Sequence, residues 1–403
     1  MPDPKENHFL LILVLGSLTT IGPLSIDMYL PAFGGIAENL GSDISHVSLS
    51  LSSFFVGLAI GQLIYGPLLE RFGRKRPMYI GLSLYALSSI ACAAATSVEM
   101  LIVFRFFQAL GACGGLVASR AIVRDLFETR EMAKVFSLLM MVIAVSPIIA
   151  PTLGGFVTTA FGWRYVFGIL AVLSLLVLGG GWWLLRSYDR INPYYSLRPA
   201  AIGRNYWSIL TDRHFIVYAL TGAFSSAGLY AYLSGSPHLY LELFGLSEQA
   251  YGIVFAIIAA GLVTATQLNN RLLRNRSSER IVTLAVMGQL VSAGLLLADV
   301  YFGYSGLYLT TALIFAYLFC LGFIFPNSSA LSLDTMQHTA GSASALMGSL
   351  QMAVGALASA LVGVLQNETA IPMAAVMACC AILAFALLTA GSRRMAPQVS
   401  NAS

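Results

Sequence analysis

What most constrains this chain is the recurrence of apolar runs about as long as a membrane is thick. A helix crossing the hydrocarbon needs about 20 predominantly apolar residues. Such runs occur near 9–31, 47–68, 77–96, 99–119, 133–159 and 162–186, and again near 213–236, 250–270, 280–300, 305–330, 340–365 and 370–391. That makes twelve spans in two groups of six, separated by the polar stretch 187–212. Only 10% of the 403 residues are charged and 58% are apolar, with a mean hydropathy of +0.79; soluble domains carry about 25% charged residues. So few charges could not cover a soluble globule of this length, which disfavours a soluble enzyme, a disordered protein and a nucleic-acid binder. The expected fold class is an all-α membrane protein whose twelve transmembrane helices form two six-helix pseudo-symmetric bundles, 1–186 and 213–403, joined by a cytoplasmic linker, 187–212.

Lys and Arg in short loops set the orientation of such a chain. With both termini in the cytoplasm, 20 of the 22 basic residues fall inside, Arg164 alone lies outside and Arg105 alone lies within a span. Arg71, Arg74 and Arg76 recur as Arg271, Arg274 and Arg276, displaced by 200 residues, after the second span of each half. The repeat and the equal span counts suggest two parallel repeats around a central cavity. The run 9–31 differs from a cleaved signal peptide: only Lys5 precedes it, and Pro23 and Asp27 interrupt it, so a retained first span is expected. The five cysteines lie in apolar runs without metal-ligand spacing and read as small buried hydrophobes. The five histidines are scattered and read as structural, with no metal site. No Gly-x-x-x-x-Gly-Lys-Ser/Thr loop appears, which argues against ATP as the energy source.

Several segments carry candidate chemistry. The loop after span two reads Gly66-Pro67-Leu68-Leu69-Glu70-Arg71-Phe72-Gly73-Arg74-Lys75-Arg76-Pro77. Its glycines permit a tight turn, and Glu70 can pair with Arg71 or Arg74 or sit at a helix N-terminus. Span four holds Arg105, with Gln108 and Gly111 on one small, polar face. A guanidinium at bilayer depth costs about 2.5–3.5 kcal/mol on insertion scales, so it must face a cavity or a partner. Span five contains Pro147, then Ala150-Pro151-Thr152-Leu153-Gly154-Gly155: proline bends a helix and glycines let a neighbour approach. Asp27 is the carboxylate that stands clearly within a span, in Pro23-Leu24-Ser25-Ile26-Asp27-Met28-Tyr29-Leu30-Pro31. Burial disfavours the charged form of a carboxylate, which suits a group that loads and unloads protons. Its place in the outer third also fits a solvated helix end. Tyr230 and Tyr232, among the hydroxyls of span seven, suit a site that stacks flat, weakly polar molecules, or a membrane interface. Gln289 and Gln351 are mid-span amides that face a cavity or bond a neighbouring helix.

The loop after span two resembles the signature of the major facilitator superfamily, with Glu70 where that family usually has Asp. Arg105-x-x-Gln108 resembles its span-four motif, with Ala109 and Leu110 inserted before Gly111. The span-five element resembles the Gly-Pro-x-x-Gly-Gly of its antiporters, with Ala150 in the first glycine's place. The first-span phrase Pro23–Ala32 resembles the bicyclomycin-resistance (Bcr/CflA) type of drug:proton antiporter. So do Gly61–Pro67, Ala118–Asp125 and Trp163–Phe167.

The resemblance implies a multi-pass transporter of the bacterial inner membrane that exports small amphiphilic compounds, of phenicol or bicyclomycin type, in exchange for protons. It implies proton coupling at Asp27 and Arg105, with Arg105 making the deprotonated Asp27 tolerable. Substrate contacts are expected at Tyr29, Gln108, Tyr230, Tyr232, Gln289 and Gln351. The expected gating loop comprises Gly66, Glu70, Arg71, Gly73, Arg74, Arg124 and Asp125; the antiporter helix motif comprises Pro147, Pro151, Gly154 and Gly155. No cofactor, metal, catalytic residue or nucleic-acid partner is expected. The partners are a small-molecule substrate, protons and the lipid bilayer, and the chain is expected to be a monomer. One rival is a facilitator or proton-coupled carrier of a specific metabolite such as a nucleoside or sugar. A second is an integral membrane enzyme, for which the outer loops offer only isolated acids such as Glu38, Asp43 and Glu242, and a third is a non-transporting sensor, which would need a sizeable soluble domain.

Overall fold

The structure, a computed structural model, describes residues 8–126, 129–185, 191, 197–303, 306–336 and 339–395. Lys5, Arg186, Arg190 and His338 lie outside the described residues, as do the side chains of His8, Arg124, Arg130, Lys134, Arg393 and Arg394. The elements are α1 (His8–Asp27), α2 (Phe33–Leu40), α3 (Ile44–Phe72), α4 (Lys75–Ala93), α5 (Val98–Leu126), α6 (Thr129–Phe161) and α7 (Arg164–Leu184). There follow α8 (Pro199–Leu210), α9 (Arg213–Pro237), α10 (Glu248–Leu272), α11 (Ser278–Phe302), α12 (Leu307–Asp334), α13 (Ala340–Leu365) and α14 (Ile371–Met395).

Among the described residues, ten segments are long and apolar enough to cross a membrane. The two further long helices are α4 and α6. Lys75 and Arg76 open α4, and Ser83, Ser88 and Ser89 lower its hydropathy; of α6, Ser146–Phe161 forms a shorter apolar stretch. Large apolar side chains stand exposed in rows three or four residues apart: Ile253 and Ile257 on α10, and Leu284, Met287, Val291 and Leu295 on α11. That spacing puts each row on one helix face, which only lipid can cover. The protein is a multi-pass membrane protein.

The structure departs from the sequence expectations in several places. The first apolar segment runs on to Leu40: α1 ends at Asp27, a 3₁₀ turn follows at Leu30–Ala32, and α2 carries the chain to Gly41, whose left-handed φ of 63° ends it. Span seven likewise continues past Pro237 as a π-helix, His238–Leu243. The stretch 187–212 is not merely polar. It contains α8, with Pro199 at its N-terminus and Ile202, Tyr206, Ile209 and Leu210 on one face. Of these, Tyr206, Ile209 and Leu210 pack with Phe215, Met336 and Leu346 beside Leu63 of α3. Cys92, Cys113 and Cys380 are buried as expected, but Cys379 is exposed, because neighbouring residues on a helix face different ways.

The helices pair in a repeated pattern. In the first six long helices α3 packs on α5, α5 on α4, α4 on α7, and α1 on α5, α6 and α7. In the last six, α10 packs on α12, α12 on α11, α11 on α14, and α9 on α12, α13 and α14. Counted in chain order within each set, these are the same six pairings. Two seams, α3 with α13 and α6 with α10, join the sets.

Candidate functional site: a buried cation, a buried carboxylate and the seams

Arg105, on α5, has no exposed surface. Its guanidinium lies over the rings of Phe54 and Tyr29, at 4.1 and 4.4 Å, with Phe167 at 5.8 Å. One nitrogen, Nη1, donates to Gln108 Oε1 at 2.6 Å, and Gln108 Nε2 donates to Ser89 Oγ at 2.8 Å. Tyr29 shares a hydrogen bond of 2.6 Å with Ser50. The three-residue spacing of Arg105 and Gln108 puts both on one helix face, and three other helical segments supply the rings. Ring faces attract a desolvated cation by up to about 2 kcal/mol each, and a charge-assisted hydrogen bond adds about 1.5–3 kcal/mol. Together they offset the cost of burying the charge. Arg105 Nε and Nη2 have no partner.

Asp27 is 5% exposed, and its Oδ2 has no hydrogen-bond partner. It does not pair with Arg105. The electrostatic neighbours of Arg105 are Tyr29, Cys92 and Tyr85, whereas the charge of Asp27 reaches Tyr251 on α10. Local geometry explains the separation. Residues two apart in a helical turn point to opposite sides, so with Tyr29 turned onto Arg105, Asp27 faces away from it. On that side Tyr251 shares a 2.8 Å hydrogen bond with Ser236, and its ring lies 5.8 Å from that of Tyr240. Tyr232, 1% exposed, stacks on Phe255 at 5.9 Å, and its hydroxyl has no partner.

The remaining expected contacts fall elsewhere. Tyr230 lies in the α3–α13 seam, its ring 4.6 Å from Phe55 and against Gly355, where a Cβ would come within 2.2 Å of it. Gln289 is fully buried and donates to the carbonyl of Ser225 at 3.3 Å, which ties α11 to α9. Gln351, 5% exposed, faces Gly222 of α9.

The loop after α3 is built around one buried arginine. Arg74, 2% exposed, donates from Nε to Asp125 Oδ2 at 2.8 Å, from Nη1 to the Leu69 carbonyl at 2.7 Å, and from Nη2 to Glu70 at 3.2 Å. Burial by itself would lower its pKa; the bond to Asp125 and the charge of Glu70 outweigh that and hold it above the ordinary arginine value. Gly73 makes the turn at φ 83°, where a Cβ would be strained. Gly66 has no neighbour that a Cβ would meet, and Arg71 stands in the last turn of α3. The Arg124 side chain lies outside the described residues.

Pro147 and Pro151 both lie inside α6. A Cβ on Gly154 would fall 2.3 Å from the Met28 carbonyl oxygen, and one on Gly155 would fall 2.8 Å from the Glu248 carbonyl oxygen. Across the same seam a Cβ on Gly252 would lie 3.0 Å from the Pro151 carbonyl. The two glycines thus admit the turn after Asp27 on one side and the start of α10 on the other.

Three groups escape a reading of the sequence. Asp299, on α11, is 6% exposed and accepts from Thr310 Oγ1 at 3.0 Å, so Asp27 is not the sole buried carboxylate. Its place near the end of the run 280–300 reads as an interfacial position. Tyr251 and the Glu248–Thr159 bond of 2.9 Å carry no motif at all; only packing brings them to the seam.

The description "Major Facilitator Superfamily" matches residues 15–360. An uncharacterised transporter of that type, YdgK of Bacillus subtilis, is 38% identical over 95% of both chains. A bicyclomycin resistance protein homolog of Haemophilus influenzae is 29% identical over 96% of this chain and 98% of its own. A D-xylose–proton symporter has the same fold, with a TM-score of 0.72 at 16% identity, covering 94% of this chain and 96% of that one. Together with the repeated helix pairing and the loop locked around Arg74, this match shows that the chain belongs to the major facilitator superfamily.

Proposed function

We propose that this chain is a secondary active multidrug exporter that moves small amphiphilic compounds, of phenicol or bicyclomycin type, outward in exchange for protons. The observation that carries the reading is Asp27: a buried carboxyl with an unpartnered oxygen, set where the first helical set meets α10. On this reading all twelve long helices span a bacterial inner membrane as two six-helix bundles, 1–186 and 213–403, with 187–212 between them. The matched pairings within the two sets support that division. Both termini face the cytoplasm, which the 20 basic residues of the inner loops favour, and the chain works as a monomer.

The bundles rock about a midplane site and expose it to each side in turn. Protonation of Asp27 from outside removes a charge at the junction and releases substrate; deprotonation toward the cytoplasm restores it. Arg105 acts at a distance, as a fixed positive charge in the first bundle that biases the site toward acceptor groups. The driving force suffices, since one charge crossing 100 mV is worth about 2.3 kcal/mol. The resemblance of Pro23–Ala32, and of the span-five element, to drug:proton antiporters supports antiport over uptake.

Everted vesicles energised to an acid interior test this reading. Addition of a phenicol or bicyclomycin should alkalinise the interior of wild-type vesicles and leave Asp27→Asn vesicles unchanged. Full proton-coupled efflux by Asp27→Asn would refute the role of Asp27. Labelled substrate that equilibrates without proton movement would make the protein a facilitator.

A further inference from the structure

Helix α8 is fastened to both bundles. Tyr206 donates to the Leu63 carbonyl of α3 at 3.3 Å, and Asn205 Nδ2 donates to Ser342 Oγ of α13 at 2.8 Å. The first bond has a cause in the sequence: Pro67, four residues after Leu63, has no N–H to offer that carbonyl. The same bond fixes the depth of α8. With 29 residues α3 is longer than the roughly 30 Å of hydrocarbon, so its end at Phe72 stands among headgroups and Leu63 lies just within. Beside Leu63, the side chains of Val56, Ile60 and Ile64 are exposed at four-residue steps, a row that lipid covers. The other sides of α3 are taken, Gly57 and Gly61 by α5 and Ser52 by Ser359 of α13. Helix α8 therefore docks at the margin of the lipid-facing surface, where hydrocarbon gives way to headgroups on the side that the proposed topology puts in the cytoplasm.

The face of α8 turned away from this contact has a different character. Trp207 is 68% exposed, more than Trp182 or Trp183. Arg204, three residues earlier and so on the same face, is exposed as well. Arg198 precedes the helix and Arg213 follows it, both exposed. From residue 190 to 211 the sequence holds no Asp or Glu, and Asp212 is engaged as the cap of α9, accepting from the Phe215 backbone. Charge and ring thus complement a negatively charged leaflet. An indole settles at headgroup level, and a guanidinium fork matches the oxygens of a phosphate. Basic residues close to the cytoplasmic leaflet are drawn to its anionic lipids.

We propose that α8 is a docking surface for anionic phospholipids of the leaflet that faces the cytoplasm, with Arg204 taking the headgroup phosphate and the Trp207 ring lying against the lipid beside it. The inference goes beyond the export reading and takes from it only which side is cytoplasmic. Because Tyr206 and Asn205 hold one helix of each bundle, a headgroup bound to α8 also bears on the α3–α13 seam.

Brominated phosphatidylglycerol is the probe, set against brominated phosphatidylcholine at the same mole fraction, in phosphatidylcholine nanodiscs that hold the full-length protein without substrate or proton gradient. Bromine quenches indole on contact, and subtracting the emission of Trp207→Phe isolates Trp207 from the other three tryptophans. The Trp207 emission should fall about twofold further with the anionic lipid than with the zwitterionic one, and added salt should narrow the gap. Arg204→Gln should abolish the difference, and Arg204→Lys, which keeps the charge, should restore most of it. Quenching by neither lipid would place α8 against water or another protein. Equal quenching by both would mean membrane contact without choice of headgroup, and a preference that survives Arg204→Gln would put the phosphate elsewhere; each of these overturns the proposal. The outcome is separable from that of the antiport reading: loss of proton exchange in vesicles leaves the lipid preference standing, and equal quenching by the two lipids leaves proton exchange in vesicles unchallenged.

Discussion

Arg105 illustrates how a single charge is made tolerable at bilayer depth. Its guanidinium is planar and weakly hydrated, so it can lie between the rings of Tyr29 and Phe54 and still donate to Gln108. A lysine ammonium is compact and more strongly hydrated, so Arg105→Lys should lose most transport although the charge is kept. Tyr29 separates ring from hydroxyl. Tyr29→Phe keeps the ring over the cation, gives up only the bond to Ser50 and should cost about 1 kcal/mol of stability. Tyr29→Ala also empties a fully buried site and should cost about 3–5 kcal/mol. Melting curves and vesicle transport of the three variants, measured side by side, check both statements. Arg105 and Gln108 were legible in the sequence because three-residue spacing alone puts them on one helix face. The rings were not, because Phe54 and Phe167 come from distant helices.

Helix ends and helix crossings decide how the elements meet. The Asp43 side chain caps α3, accepting from the His46 backbone at 2.7 Å and from Ser45 Oγ. These bonds, that from Ser45 first, hold its pKa below the ordinary 3.8. A depressed carboxylate stabilises the folded state above its ordinary pKa and loses that effect as pH falls through the folded value. Asp43→Ala should therefore cost about 1 kcal/mol near neutral pH, and the gap between its melting temperature and that of wild type should close in acid. On α6 the issue is approach rather than capping. Gly154→Ala would drive a methyl group onto the Met28 carbonyl, and Gly155→Ala onto the Glu248 carbonyl; the tighter clash, at Gly154, should slow transport more. The glycine pair was visible as a motif, yet which backbone each one admits was not. Nor did the run 9–31 reveal that the apolar segment continues past the end of its helix at Asp27 to Leu40.

For the whole molecule, the two seams are the parts that the proposed rocking must remodel. Ser52 of α3 and Ser359 of α13 share a 2.7 Å hydrogen bond between buried hydroxyls. In a background without the native cysteines, Ser52→Cys with Ser359→Cys should oxidise readily and stop transport until a reductant is added; transport that persists after complete cross-linking would show that this seam does not open. At the other end Arg74 joins the loop after α3 to Asp125 of α5. Without the Asp125 charge, Arg74 keeps only the more exposed Glu70 as its ionic partner, so Asp125→Asn should lower the melting temperature as well as slow transport.

Taken by itself, the sequence determined the class of the molecule, because apolar runs of helix length can satisfy their backbone within lipid and basic loops stay on one side. It determined the internal repeat as well, since Arg71, Arg74 and Arg76 recur 200 residues on, and the structure repeats the helix pairings to match. Those are properties of single segments and of their order. The surroundings of Asp27 were decided only by tertiary structure. Its spacing from Arg105 along the chain says nothing about direction, and the turn that presents Tyr29 to Arg105 necessarily sends Asp27 toward Tyr251. Distance in space between helices far apart in sequence is fixed by packing, and no local pattern encodes it.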